Sequence, residues 1–287
     1  MSNNPALINL DGISDIAIKL LDMIEHLAGW VASPKGKAAD FEEGLEFYKN
    51  SLEQDTSLTD REKAVKLSLA RTEFRKYVNQ AKIVSQAVDS LSRSINPSHI
   101  DDIDADWINT FLSYAENISN EKMQAIWGKI LAAKANGNSD INKKMLHIFS
   151  CIEREDIEVF CKLCSMSFSH MNRCYSHYPF IYIKQFSKYY SGLGIRRYNL
   201  ASLDNLGLIE YDVHEGFVLP KDIPPLSFGG YKIILSSSKR IGNGNVRFTR
   251  SGRALFSITK VIPQEDFLPF CMNVWSRENI VYNIEKL

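Results

Sequence analysis

Four residues in the middle of the chain have the types and spacing of a zinc-binding set. Cys161-x-x-Cys164 is followed by Cys174-x-x-His177, and three thiolates with one imidazole would complete a tetrahedral coordination shell. The first pair, however, falls in an apolar helical pattern, and buried cysteine is a common core residue. The sequence therefore leaves two interpretations open, a zinc site or cysteines packed inside a helix, and indicates no other cofactor.

A cluster of acids precedes Trp107. Its members are Asp101, Asp102, Asp104 and Asp106, whose carboxylates could bind a divalent cation, but the cluster lacks the glycine and the closing glutamate of a calcium loop. We interpret these acids as residues that precede a helix and complement its positive end.

Catalytic motifs of the common enzyme classes are absent from the sequence. It contains neither the G-x-x-x-x-G-K-S/T phosphate loop nor the G-x-S-x-G nucleophile elbow. His147, His170, His177 and His214 have no acidic partner at metalloprotease spacing. We therefore expect a protein that is not an enzyme, and infer no small-molecule substrate.

The charge of the chain is balanced overall but uneven along its length. Lys and Arg number 34, as do Asp and Glu, whereas the stretch from Pro179 to Lys260 holds 12 basic against 5 acidic residues. Such a local excess is an electrostatic footprint for an anionic partner. No apolar run is long enough for a membrane span, and the first residues do not resemble a secretory signal. We expect a cytoplasmic protein with reduced cysteines.

The elements that position these residues are helices in the first part of the chain. The clearest, the signature helix, covers residues 118–135, with Ser119 as the expected N-cap. Its apolar residues recur at the spacing of one buried face. They are Met123, Ile126, Trp127, Ile130 and Leu131. Further helices are predicted over residues 39–52, 59–95, 107–116 and 141–150.

A second apolar stripe marks the first helix of the chain. It is formed by Ile13, Ile16, Leu20, Ile24, Leu27 and Val31. The other side is acid-rich, which argues against anionic lipid. We expect the stripe to pack against a partner helix, in this chain or in a second copy, and keep a membrane surface as the less favoured alternative.

The character of the sequence changes at about Pro179. A short helix ends in L-G-L-I, with Gly207 as the expected left-handed residue, and two β-rich runs, YKIILSS and VRFTRSGRALFSI, suggest a hairpin. Thr249-x-x-Gly252-x-x-Leu255 resembles the strand-to-helix exit of winged-helix domains. We therefore predict a mainly α protein, with a helical scaffold over 1–178 and a basic, α+β, winged-helix-like domain with a C-terminal helix over 179–287.

This domain offers candidates for nucleic-acid binding. In helix-turn-helix proteins the second helix enters the major groove, so Arg196, Arg197 and Asn199 could reach phosphates or base edges. Lys239 and Arg240 would lie at the tip of the wing. Winged helices also contact proteins, and short basic stretches are often simply solvated.

The string DADWINTFLSYAENISNEKMQAIWGKILA resembles the core signature of a family of uncharacterised bacterial proteins. GISDIAIKLLDMIEHLAGW and MLHIFSCIEREDIEVFCKLCS are similar to the segments before and after it. A shorter form of the signature helix occurs in abortive-infection alpha proteins, so the resemblance implies a setting in phage defence. It supplies no catalytic residue.

Three functions are compatible with these observations. The favoured one is a non-enzymatic interaction protein that assembles through its first helix, with a protein partner or with itself. The alternatives are a winged-helix DNA-binding regulator and a membrane-surface effector that uses the first helix.

Overall fold

The computed structural model describes residues 15–28, 41–91, 98–171, 177–220 and 223–287. These residues are mainly helical, as predicted, with a small antiparallel sheet. The chain divides into two compact units, Met1–Leu146 and His147–Leu287. The change in sequence character predicted a domain boundary between residues 178 and 179. The boundary between the two compact units, after Leu146, lies earlier in the chain.

Helices form the described part of the first unit. They are α1 (Asp15–Ala28), α2 (Phe41–Gln54), α3 (Asp60–Ser90), α4 (Ser98–Asp101), α5 (Ala105–Ala115), α6 (Glu121–Ala135) and α7 (Lys143–Ser150), which ends in the second unit. The predicted helices over 39–52 and 107–116 are confirmed by α2 and α5. Helix α3 begins after the N-cap Thr59, as its capping box dictates, but ends at Ser90, before the predicted residue 95.

The signature helix is α6, and its N-cap differs from the predicted one. Asn120, rather than Ser119, precedes the helix, and its side-chain oxygen accepts hydrogen bonds from the backbone N–H groups of Lys122 (3.1 Å) and Met123 (3.2 Å). Trp127 is fully buried, with its ring 5.4 Å from that of Phe111. It is a packing residue, as the periodicity indicates.

Helices α6 and α3 pack closely, and a glycine permits the approach. A Cβ atom at Gly128 would lie 2.8 Å from the Cβ of Gln86 and 3.1 Å from the backbone of both Ile83 and Ala87. Carbon atoms in relaxed contact are about 3.5–4.0 Å apart. Gly128 therefore sets the spacing of the two helices.

Two residues of the apolar stripe, Leu20 and Ile24, are described on α1 and are buried within their own chain. Leu20 and Ile24 are fully buried, and α1 contacts α4 and α5. Lys19 also forms an ion pair with Asp101 on α4 (3.1 Å). Of the other stripe residues, Ile13 and Val31 lie outside the described residues, as do the side chains of Ile16 and Leu27. Packing in the same chain is thus the alternative that the structure shows. Leu20 and Ile24 are therefore not exposed to a second copy in this structure, and the oligomer face stays a prediction.

The acid cluster begins a helix, as interpreted from the sequence. Asp104 is the N-cap of α5, and its carboxylate accepts a hydrogen bond from the backbone N–H of Asp106 (3.0 Å). That hydrogen bond and the nearby Lys143 lower the pKa of Asp104. Lys143 lies 3.3 Å from the carboxylates of both Asp104 and Asp106. A lysine therefore provides the positive charge at these two acids.

The second unit alternates short helices and strands. Its helices are α8 (Arg154–Ser165), α9 (Ile183–Gly192), α10 (Arg197–Asn205), α11 (Arg250–Ile258) and α12 (Phe267–Arg277). Its strands are β1 (Ser167–His170), β2 (His177–Pro179), β3 (Ile209–Tyr211), β4 (Phe217–Val218), β5 (Leu226–Phe228), β6 (Tyr231–Ser236), β7 (Gly242–Gly244), β8 (Val246–Phe248) and β9 (Val281–Lys286).

The strands form one antiparallel sheet and two separate pairs. The sheet has the order β2-β1-β5-β6-β9, and the pairs are β3 with β8 and β4 with β7. The predicted hairpin of YKIILSS with VRFTRSG is wrong, because β6 pairs with β5 and β9 while β8 pairs with β3. Strands β5 and β9 pair with the two edges of β6, so no edge of β6 is left for β8.

Aromatic side chains fill the core of the second unit. The ring of Phe168 on β1 lies 4.9 Å from those of Phe180 and Phe228 and 5.7 Å from Trp275 on α12. Phe168, Phe180 and Trp275 are fully buried. This cluster joins the sheet to α12 and provides a rigid base for the shorter elements. Across both units, no helix in the described ranges has the length and apolar character needed to span a membrane.

Candidate nucleic-acid interface

Two helices and a tight turn position the predicted basic residues. Helix α9 ends at Gly192, and α10 begins at Arg197. Between them Gly194 has a φ of +78°, a left-handed conformation that glycine adopts without steric cost. Ile195 follows in the turn and is buried. A three- to four-residue turn with glycine is typical of helix-turn-helix units.

The inner face of α10 is fixed by apolar and polar contacts. Leu200 and Leu203 are fully buried. Asn199 donates a hydrogen bond to Glu155 on α8 (3.0 Å), and Ser202 donates one to Asp156 (2.8 Å). These contacts fix the rotation of α10 about its axis.

Asn199 therefore differs from its predicted role. Its side chain is 5% exposed, and its oxygen accepts the backbone N–H of Arg196 (3.0 Å) while its nitrogen donates to Glu155. Both ends of the amide are occupied in capping and anchoring α10. We remove Asn199 from the candidate interface.

The opposite side of the helix faces solvent. We call this surface the α10 outer face; it consists of Arg196, Arg197, Tyr198, Ala201, Asp204 and Asn205, all exposed, and the Asp204 carboxylate accepts a hydrogen bond from the backbone N–H of Tyr211 (3.2 Å). Tyr198 is 59% exposed, although tyrosine usually buries its ring. In the described part of the second unit the ion pairs are Arg154 with Glu158, Lys232 with Glu285 and Arg247 with Glu210. Arg196 and Arg197 are thus not paired with a carboxylate there.

A pair of strands follows α10. Gly207 ends the helix with a φ of +72°, as predicted, and Leu208 is fully buried. Strand β3 then pairs with β8 in antiparallel register, from Ile209 opposite Phe248 to Tyr211 opposite Val246.

The motif Thr249-x-x-Gly252 connects the β3–β8 pair to the end of α10 and the start of α11. The Thr249 hydroxyl donates a hydrogen bond to the Gly207 carbonyl (2.6 Å) and accepts one from the Gly252 backbone N–H (3.0 Å). A Cβ atom at Gly252 would overlap the carbonyl oxygen of Leu208. The threonine and the glycine are both required for this close connection.

The other predicted basic residues lie on a different segment of the chain. Lys239 and Arg240 are exposed between β6 and β7, just before Ile241, whose carbonyl accepts the backbone N–H of Leu219 (2.8 Å). They therefore lie next to the end of the β4–β7 pair at which Val218 is opposite Gly242. No contact joins them to the α10 outer face among the described interactions.

The proposed zinc ligands are only partly described. Cys161 and Cys164 lie on α8, as the helical interpretation expected, and His177 begins β2, whereas Cys174 lies outside the described residues. Burial, with a smaller contribution from Cys161, raises the pKa of the Cys164 thiol well above its ordinary value. Such a thiol resists the deprotonation that zinc binding requires. Within the described ranges no three potential metal-binding side chains come together.

With this geometry defined, comparison with known proteins assigns the chain to a family. A family model described as a protein of unknown function, DUF2806, matches residues 66–271. The chain belongs to this family. The DUF2806 match begins within α3 and ends within α12, so it includes the signature helix, the α10 outer face and the β3–β8 pair. No curated protein and no solved structure matches the chain.

Sequence reasoning missed one exposed residue in this DUF2806 region. Tyr198 lies beside Arg196 and Arg197 on the α10 outer face, yet tyrosine in a short helix is ordinarily assigned to the core. The signal available in the sequence was its position directly after two arginines and before Asn199. An aromatic ring next to guanidinium groups is a common feature of nucleic-acid-binding surfaces.

Proposed function

We propose that the second unit binds nucleic acid through the α10 outer face, in a winged-helix-like arrangement. The observation that carries the proposal is a short helix, placed after a glycine turn, whose inner side is fixed to α8 and whose outer side presents Arg196, Arg197 and Tyr198. The antiparallel β3–β8 pair, whose first strand follows α10 along the chain, supports the comparison with a wing.

The N-terminal end of this face suits an anionic polymer, because two arginines are exposed there and the acidic Asp204 lies about two helical turns further on. Arginine side chains bind phosphate and, in the major groove, the O6 and N7 atoms of guanine. Ala201 lies one helical turn after Arg197 and is small, which would allow close approach of the helix to base edges. Lys239 and Arg240 would contribute phosphate contacts from the strands that extend the wing.

Burial of the α1 stripe weakens the two other candidate functions. Assembly through α1 and insertion of α1 into a membrane surface both require apolar side chains that Leu20 and Ile24 do not expose. A setting in phage defence, suggested by sequence resemblance to abortive-infection proteins, is part of the proposal and rests on that resemblance alone.

A salt series tests the proposal. Fluorescence anisotropy of the full chain with a labelled 30-base-pair duplex and with a single strand would give Kd from low to physiological salt. We expect Arg196→Ala with Arg197→Ala to weaken binding and to reduce the slope of log K against log salt by about 2, since each phosphate contact contributes about 0.9. Lys239→Ala with Arg240→Ala should act similarly.

Two further variants make the test specific. Lys122→Ala with Lys144→Ala removes the same charge from exposed positions in the first unit and should leave binding unchanged. Tyr198→Ala should weaken binding without changing the salt slope, because the ring carries no charge. Absence of binding to duplex or single strand at low salt, or an equal loss in the Lys122 and Lys144 variant, would refute the proposal.

A further inference from the structure

A cavity of about 600 Å³ opens in the second unit beside the proposed wing. Residues from β2, β4, β7, β8 and α11 line it. Its size lies within the usual range of small-molecule sites, which is roughly 300–1,000 Å³. The α10 outer face does not contribute to the lining, so the cavity is a separate feature from the proposed interface.

Two polar atoms in the lining are buried without a hydrogen-bond partner. Asn243 on β7 is 4% exposed, and its side-chain oxygen has no donor within reach. The Nδ1 atom of His177 on β2 also has no partner. A buried polar group without a partner destabilises a fold, and such groups in native proteins call for an explanation. Because both residues line the same cavity, a ligand bound there would be placed to supply the partners that these two atoms lack among the described residues.

The electrostatics of the cavity favour an anion. Two guanidinium groups, Arg247 and Arg253, line it, and the described residues contribute no carboxylate to its wall. Arg247 is neutralised by Glu210, to which its Nε donates a hydrogen bond (2.7 Å). Arg253 uses Nη1 on the Phe248 carbonyl (3.0 Å) and forms no ion pair in the described residues, so its charge and its other N–H groups remain for a ligand.

His177 is held neutral beside Arg253. Burial, aided by the Arg253 charge, lowers the pKa of His177 to about 4, and its ring lies 3.8 Å from that of Phe256. At neutral pH the imidazole therefore adds a hydrogen-bonding nitrogen but no charge. Arg253 is the cation of the site.

Three aromatic rings contribute to the wall, together with Gly216 and Val218. Tyr178, Phe217 and Phe248 all line the cavity, and the Arg247 guanidinium lies over the Phe217 ring, 4.6 Å from its centroid. Rings of this kind favour a flat, unsaturated ligand over a flexible aliphatic one.

We propose that this cavity binds an anion that carries a planar ring with an N–H donor, the chemistry of a nucleoside monophosphate. Arg253 binds the phosphate, and the side-chain oxygen of Asn243 accepts a hydrogen bond from the ring amine. The ligand supplies the partner that the buried amide lacks. The site does not depend on nucleic-acid binding by α10.

Calorimetric titration of the full chain with three probes tests this assignment. Adenosine 5′-monophosphate carries both features, adenosine lacks the phosphate, and inorganic phosphate lacks the ring. We expect the monophosphate to bind, and adenosine and phosphate to bind about tenfold or more weakly, because a hydrogen bond to a charged group contributes about a tenfold to hundredfold change in Kd.

Two variants should separate the contributions. Arg253→Gln should weaken the monophosphate and phosphate but not adenosine. Asn243→Leu, which removes an unpaired oxygen and so should leave the fold intact, should weaken the monophosphate and adenosine but not phosphate. Lys260→Gln, at an exposed lysine outside the cavity, is the matched control and should change nothing.

The proposal fails if the monophosphate does not bind at millimolar concentration, or if both variants weaken all three probes equally. A final arm distinguishes the source of the ligand. Displacement of the bound monophosphate by a single-stranded hexanucleotide would assign the site to the end of a nucleic-acid chain. If the monophosphate stays bound in the presence of the hexanucleotide, the site is assigned to a free mononucleotide. Either result supports a site for a phosphate joined to a planar ring.

Discussion

Gly128 on the signature helix offers a test in which intrinsic helix propensity and tertiary packing predict opposite signs. Alanine is favoured over glycine inside a helix by about 1 kcal/mol, so propensity alone predicts that Gly128→Ala stabilises the protein. The structure predicts a loss of stability, because the added Cβ would lie 2.8 Å from the Cβ of Gln86 and 3.1 Å from backbone atoms of α3.

The size of the loss follows from the separation that the helices must adopt. To bring the added Cβ from 2.8 Å to a relaxed carbon contact of about 3.5 Å, α6 and α3 must move apart by roughly 0.7 Å. A separation of about 0.5–1 Å between packed atoms removes a quarter to a half of their dispersion attraction. Backbone atoms cannot avoid the clash by a rotamer change. Overpacking typically costs about 1–3 kcal/mol. Because two of the three close contacts at Gly128 are with backbone atoms, we take the upper part of that range, about 2–3 kcal/mol. After the propensity gain of about 1 kcal/mol, the expected net loss is about 1–2 kcal/mol.

Gly44 on α2 provides the matched control. A Cβ atom at Gly44 would meet nothing within 4 Å, so Gly44→Ala should stabilise the same unit by about 0.5–1 kcal/mol. Urea denaturation followed by tryptophan fluorescence measures both effects, because Trp127 is fully buried in the native state. The two variants should shift the urea midpoint in opposite directions at unchanged m-value.

A Gly128→Ala protein as stable as the wild type, or more stable, would refute the reasoning. It would mean that α6 does not approach α3 as closely as the structure shows. Opposite shifts would show that packing, rather than propensity, selects glycine at this position of the signature helix.

Three further predictions concern the second unit. Gly252→Ala should destabilise it by about 3 kcal/mol or more, since the Cβ would overlap the Leu208 carbonyl; an unchanged thermal midpoint would contradict this. Asn243→Leu should raise stability by about 1 kcal/mol in thermal unfolding, because it removes an unpaired buried oxygen, and a lower midpoint would show that the amide has a partner. His177 should titrate in an NMR experiment with a pKa of about 4, and a midpoint near 6.5 would contradict its burial. Since folding lowers this pKa, the stability due to His177 is complete above about pH 6.5 and is lost as the pH falls toward 4; after allowance for partial exposure it amounts to about 1–2 kcal/mol.

Most helices could be predicted from the sequence because their signals are local. Thr59 and Glu62 form the capping box of α3, and the acid cluster with its Asp104 cap places the start of α5. Gly207 was recognised as a left-handed helix end from the L-G-L-I pattern alone. Each of these features depends on residues within a few positions of one another, so a short segment of the sequence contains all the interacting groups.

The candidate interface was only partly predictable. Arg196 and Arg197 are exposed as expected, but the role of Asn199 depends on Glu155, which lies 44 positions away in the chain. A polar side chain at the start of a helix can bind a ligand or anchor the helix, and no local pattern distinguishes these uses. The unpaired Asn243 oxygen could not be predicted from the sequence either, because the lack of a hydrogen-bond partner depends on how the surrounding residues pack.

The sequence by itself determined where helices form, where the basic residues cluster and which family signature the chain carries. The tertiary structure alone decided that Leu20 and Ile24 are buried in a helix that contacts α4 and α5, and that β6 pairs with β9 instead of β8. Periodicity shows that a face is apolar but does not identify its partner, and strand propensity does not select among edges. Both choices depend on long-range contacts, whose free energy depends on the whole packed unit.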